Sequence, residues 1–131
     1  MKFTIATLDL AKLLKTIAPR PRKDDVFTLS ACAARIFVEC KGDVGGVEAL
    51  VFADGAVTLP VKTCRELLKT YQGRQSLTFE AGSDGLHIGN FRMPVLRYDP
   101  SPKPPADFKV FPIAGMPGSL DRRPVFEKPS P

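Results

Sequence analysis

Gly55-Ala56-Val57-Thr58-Leu59-Pro60-Val61-Lys62-Thr63-Cys64-Arg65-Glu66-Leu67-Leu68-Lys69-Thr70-Tyr71 changes its hydrophobic rhythm halfway. Residues 56–61 read as strand. From Val61 onward the apolar positions are Val61, Cys64, Leu67, Leu68 and Tyr71, the spacing of one face of a helix. Gly73 stands where a helix C-terminal cap belongs. Lys62, Arg65 and Lys69 fall within about a 60° sector of the same helix, away from most of the apolar stripe.

Upstream, residues 2–6 form a short β-type run, and Thr7 or Asp9 can cap the helix after it. Leu10, Leu13, Leu14 and Ile17 predict that this amphipathic helix ends before Pro19, with Lys12 and Lys15 on its polar side. Two prolines make residues 19–25 a charged loop. Residues 26–32 and 35–41 alternate as strands, and residues 42–46 read as a glycine-rich turn or bulge. Residues 47–52 and 56–61 are further strand material, broken at Asp54-Gly55. Downstream, residues 76–80 and 86–90 form a hairpin through Asp84-Gly85. Residues 91–98 read as one more strand, which Pro94 confines to an edge or a bulge. Hairpin signals dominate, so the expected class is α+β: two helices packed on antiparallel sheet.

The chain has 131 residues, enough for one ordinary domain. Its 44% hydrophobic and 25% charged content is that of a globular protein. Nineteen Lys and Arg against 14 acids give +5, which favours an anionic partner. Nine of the 13 prolines lie at or after Pro100, so composition separates a folded body over 1–98 from a proline-rich end. No apolar run is long enough for a membrane helix, and residues 1–12 do not read as a signal peptide, so a cytoplasmic protein without membrane contact is expected. Cys32, Cys40 and Cys64 have no CxxC spacing, which argues for core thiols rather than disulfides or zinc.

Catalytic candidates are few. His87 alternates with Leu86 and Ile88 and reads as a solvent-facing strand residue; a Cys64–His87 pair is the one nucleophilic arrangement to test. Asp24 and Asp25 are expected to offset Arg22 and Lys23. Asp43 and Glu48 lack calcium-loop spacing, and no phosphate loop, dinucleotide fingerprint or nucleophile elbow is present. The expectation is a protein that is not an enzyme, with no cofactor and no metal.

The basic residues are better organised. Lys12 and Lys15 lie on the first helix, and Arg20, Arg22 and Lys23 just beyond it; Lys62, Arg65 and Lys69 lie on the second, with Arg74 just beyond. Either face alone is also what a solvated helix shows. Two such helices side by side would track phosphates without reading bases, so duplex DNA is the expected partner. Tyr71 and the phenylalanines fall mostly in apolar positions, which gives little support to a stacking platform for single strands.

The opening Met1-Lys2-Phe3-Thr4-Ile5 with Leu10, Leu13 and Leu14, the stretch Gly55 to Lys62 running into its helix, and the strands around Ser76-Leu77-Thr78-Phe79-Glu80, Leu86-His87-Ile88 and Phe91-Arg92-Met93 resemble one domain of the bacterial DNA sliding clamp, the beta subunit of DNA polymerase III. Pro105-Ala106-Asp107-Phe108 resembles the segment that closes such a domain. The resemblance covers roughly residues 1–111 and rests on the order and spacing of short motifs. It implies two helices packed against two antiparallel sheets, with six such domains forming a ring whose helices line a hole around duplex DNA. It also marks Arg20 and Arg22 as DNA contacts near the end of the first helix. It extends the folded unit, giving a clamp-like domain over 1–113 and a proline-rich tail over 114–131. A family clamp carries three domains in one chain and this chain has one, so a ring implies self-association. Residues 42–46 and the loop after Pro19 depart from the family pattern.

Two functions fit these features. One is non-specific binding of duplex DNA through the basic helix faces, as a homo-oligomeric ring in replication or repair. The other is a protein-interaction module working through a sheet edge or the proline-rich end, without DNA. Val125-Phe126 is a candidate docking pair within that end.

Overall fold

The structure is a computed structural model, and it describes residues 1–71 and 75–112. In chain order the elements are β1 (Lys2–Ala6), α1 (Thr7–Ile17), β2 (Val26–Cys32), β3 (Arg35–Cys40), β4 (Asp43–Glu48), β5 (Leu50–Ala53) and β6 (Gly55–Pro60). Then come α2 (Val61–Thr70), β7 (Ser76–Gly82), β8 (Gly85–Ile88), β9 (Phe91–Met93), β10 (Arg97–Asp99) and β11 (Lys109–Phe111). One sheet has the order β5-β1-β7-β8-β9 and the other β10-β6-β2-β3-β4-β11. The strand pairs are antiparallel except that β11 runs parallel to β4. Over the described residues this is an α+β fold of two helices and two sheets.

Both sheets turn one face to a common core. Phe3, Leu77, Phe79, Leu86 and Ile88 come from the first sheet, and Phe27, Leu29, Ile36, Val38, Val57 and Leu59 from the second. Leu10, Leu13, Leu14 and Ile17 of α1 and Val61, Cys64, Leu67 and Leu68 of α2 complete it. Phe3 and Phe79 are register partners and stack with centroids 4.8 Å apart. The helices bury their apolar stripes here because neither is long enough to be stable alone.

Several local expectations change. Neither Thr7 nor Asp9 caps α1: Ala6 is the cap residue and makes no side-chain bond, while Thr7 and Asp9 are buried inside the helix. The helix starts straight out of β1, and the Thr7 N–H donates to the carbonyl of Gln75 instead. Residues 42–46 are not one turn. Lys41 and Gly42 alone make it, both with positive φ, and Gly45 and Gly46 lie inside β4. Residues 91–98 are not one strand. Pro94 lies between β9, an edge of the first sheet, and β10, an edge of the second, so the chain changes sheets there. The cap at Gly73 lies outside the described residues.

The β2–β3 hairpin turns on Ala33 and Ala34, at φ 52° and 59°. That left-handed pair suits Asn-Gly, because a Cβ at positive φ is strained. Ala33→Asn with Ala34→Gly is expected to raise the free energy of unfolding by about 1 kcal/mol. Urea denaturation measures this, and a variant no more stable than the parent refutes it.

The proline-rich stretch after β10 crosses the second sheet from one edge to the other. Five strand intervals span ~24 Å, and residues 100–108 in a polyproline conformation reach ~28 Å. Pro102, Pro105 and Phe108 are half-buried while the residues between them are exposed, the three-residue period of that helix. Ala56, Cys32 and Phe37 point away from the core by register yet are buried. The Phe108 ring meets Phe37 edge-on at 4.9 Å and lies under the Arg35 guanidinium. Phe108 and Phe111 therefore dock as their apolar character suggests. Val110 stays exposed, and Ile113 lies outside the described residues.

Candidate nucleic-acid interface

α1 buries Leu10, Leu13, Leu14 and Ile17, and that choice turns Lys12 and Lys15 outward. α2 does the same for Lys62 and Lys69 by burying Val61, Cys64, Leu67 and Leu68. The helices touch each other. The joint is made by Arg65, whose Nη1 donates to the carbonyls of Ala18 at 3.4 Å and Pro19 at 3.5 Å. These carbonyls end α1, so a cation of α2 satisfies groups the first helix leaves open. The two helices are thus neighbours, which no spacing rule can show.

The loop over 19–25 is fixed at its other end by Asp25. Its Oδ2 accepts the Arg22 backbone N–H at 2.7 Å and the Lys41 ammonium at 3.0 Å. Its carbonyl accepts the Val61 N–H at the start of α2. The Arg22 N–H, and then Lys41, hold the Asp25 carboxyl below its ordinary value. Asp25 makes its direct contacts to the Arg22 backbone N–H and to an ammonium distant in the chain, while the Arg22 charge adds a smaller stabilisation of its carboxylate. Arg20, Arg22 and Lys23 remain exposed on the anchored loop. Because the folded carboxyl is the stronger acid, this anchor is in place above pH ~4 and is lost as pH falls through the lowered value.

Among the described residues the ion pairs are Arg35–Glu48 and Lys41–Asp25, and His87 lies near Asp84. None involves Lys12, Lys15, Arg20, Arg22, Lys23, Lys62, Arg65 or Lys69. Seven of these eight are exposed, and Arg65 is the half-buried one. Arg74 lies outside the described residues.

No family model matches this sequence, and neither does any curated protein. Solved structures do. The beta subunit of Caulobacter crescentus polymerase III superposes with a TM-score of 0.55 at 23% identity, over 85% of this chain and 32% of that one. The Helicobacter pylori beta clamp, solved with carprofen, gives 0.65 at 18% identity over 82% and 32%. The Bartonella birtlesii sliding clamp, bound to griselimycin, gives 0.63 at 11% identity over the same shares. The fold is that of a sliding-clamp domain. This chain spans about a third of the length of the clamps it matches.

Within the clamp fold, a Cys64–His87 nucleophilic pair does not form. Cys64 is fully buried beneath α2, and burial pushes its thiol up to about 12. His87 lies between the buried Leu86 and Ile88 on β8, so its ring points out of the opposite face of the first sheet, with Nε2 3.7 Å from Asp84 Oδ2. The sheet separates the two. Cys64 is expected to react with a thiol reagent only when the protein opens, and stability should fall as pH rises above ~9, where the unfolded thiol ionises and the folded one does not. Labelling of native protein followed by mass spectrometry checks this; Cys64 modified at the rate of a free thiol would contradict it.

Sequence reasoning missed Arg65 as the joint between the helices and Asp25 as an anchor. The carbonyls that Arg65 holds lie 46 and 47 residues away in the chain. Lys41 lies far from Asp25 on the next hairpin, so no local pattern carries either contact. Among the described residues no helix is long and apolar enough to cross a membrane.

Proposed function

We propose that this chain is a non-enzymatic, clamp-like protein that binds duplex DNA without sequence preference, acting in replication or repair in the cytoplasm. The observation that supports this reading is the Arg65 bond between the helices, which joins α1, with Lys12 and Lys15 exposed, to α2, with Lys62 and Lys69 exposed, next to the loop that carries Arg20, Arg22 and Lys23. Phosphate contacts of this kind are sequence-independent and salt-sensitive. The clamp neighbours, described as DNA polymerase sliding clamps, support the same reading. One domain cannot encircle a duplex, so we propose self-association of domains over 1–113 into a ring, with 114–131 as a tail. Solution mass with and without duplex DNA tests this. The expected result is a DNA-bound assembly of several copies whose affinity falls with a log–log salt slope of about −5, for roughly six phosphate contacts. A monomer whose mass is unchanged by duplex at low salt overturns the proposal.

A second reading has its own observation. Leu50 and Phe52 on β5, an edge of the first sheet, are 65% and 62% exposed. An edge of that character suits a protein partner. Under that reading duplex DNA is not bound, and substituting both with Ser abolishes protein capture. The proline-rich stretch suits this role less well, since Pro102 and Pro105 rest half-buried against the chain's own sheet.

A further inference from the structure

A groove of about 240 Å³ runs along α1, lined by Asp9, Lys12, Lys15 and Thr16 of the helix and by Phe111 and Pro112. Its apolar wall is fixed from behind. Phe111 pairs with Val47 in the parallel register, and its Cε1 stands 2.8 Å from where a Cβ on Gly45 would lie. Leu13 Cδ1 and Ile17 Cδ1 crowd the same point, at 2.7 and 3.0 Å. The ring is thus held by packing, and part of it is left to face the groove. Across from it, Lys12 and Lys15 project from one side of the helix, exposed and without an ion pair among the described residues. Asp9 is buried and engaged within the protein, so the open part of the groove is cationic and hydroxylic on one side and apolar on the other.

A paired duplex would use the lysines and leave Phe111 and Pro112 bare, because its bases are stacked inside. A nucleotide with an unpaired base uses both sides: phosphate to the ammoniums, base against the aromatic and proline surface. The groove opens on the same α1 face that carries the proposed duplex contacts, so a strand leaving the duplex can continue along it. We propose that this groove holds one unpaired nucleotide of a DNA strand, which gives the protein a preference for junctions between duplex and single strand. This rests on the proposed duplex binding and adds the junction to it.

Fluorescence anisotropy with the full chain tests it, using a blunt duplex, the same duplex with a short single-stranded overhang, and that overhang made abasic. The overhang should tighten binding about fivefold, and the abasic overhang, which keeps every phosphate, should lose the gain. Phe111→Leu keeps apolar packing against Leu13 and Ile17 and should erase the preference while blunt-duplex affinity holds. Equal affinity for blunt and overhang DNA overturns the proposal and leaves duplex binding standing. A gain that survives in the abasic overhang also overturns it, since charge alone then explains the groove. So does an acidic peptide that displaces the overhang as well as an oligonucleotide does. Absence of binding to any of these DNAs removes the duplex reading as well.

Discussion

Replacing Lys12, Lys15, Lys62 and Lys69 together with glutamate will lower affinity for duplex DNA by about a thousandfold at 0.1 M salt. A phosphate deprived of its ammonium partner forfeits close to a tenfold electrostatic gain at that ionic strength, and four reversals also add repulsion. These four residues suit the test because they are exposed and belong to no ion pair among the described residues, so the fold does not depend on them. Arg65 is left out. Its guanidinium holds the carbonyls of Ala18 and Pro19, and its loss would disturb the loop as well as the charge. Arg92→Glu with Lys103→Glu is a charge-reversal control, since both are exposed and neither lies on a helix: Arg92 is the register partner of His87 on β9, and Lys103 lies in the proline crossing. The salt slope should shrink by about 4 in the quadruple variant and by far less in the control. Affinity within about threefold of the parent would remove the helix faces as the binding surface.

Gly45→Val is expected to destabilise the domain by about 3 kcal/mol and to release β11. Gly45 lies on the core-facing side of β4, where a Cβ would stand under 3.0 Å from both Leu13 and Phe111. Gly46 faces the other way, and its Cβ would stand 2.9 Å from the rings of Phe108 and Phe37. Phe108 and Phe111 thus straddle one sheet edge, a ring on each face, over two positions that carry no side chain. The backbone at Gly45 lies outside the left-handed region, so the effect is one of space alone. Urea midpoints measure the loss, and exposure of Phe111 to solvent reports β11. A variant of unchanged midpoint would show that α1 can shift to make room. For the same reason, truncating the chain after Tyr98 is not a clean probe of a proline-rich binding motif. It would also uncover Phe37, which packs against the Phe108 ring.

Much of the fold was legible because its signals are local. Leu10, Leu13, Leu14 and Ile17 mark α1, and Cys64, Leu67 and Leu68 mark α2, through a period that only a helix buries on one side. The β2–β3 and β7–β8 hairpins arise from alternation closed by short turns. The basic candidates were also legible, since a helix that buries one stripe must expose the other. The Phe91 to Tyr98 region was misread because strand propensity cannot tell which sheet a residue will join. Gly42 to Gly46 was misread because glycine signals a turn and a close approach equally well. The approach of Phe111 and Leu13 to Gly45 is not written near Gly45.

By itself, the sequence determined the class, both helices, the outward direction of Lys12, Lys15, Lys62 and Lys69, and the burial of the three cysteines as free thiols. Periodicity and charge act over a few residues, so each of these is decided where it is encoded. Only the tertiary structure decided that Arg65 joins the two helices, that Asp25 answers Arg22 and Lys41, and that β11 pairs with β4. It alone laid the prolines across the second sheet. Each of these depends on two segments distant in the chain meeting in space, and burial of one shared core brings them together.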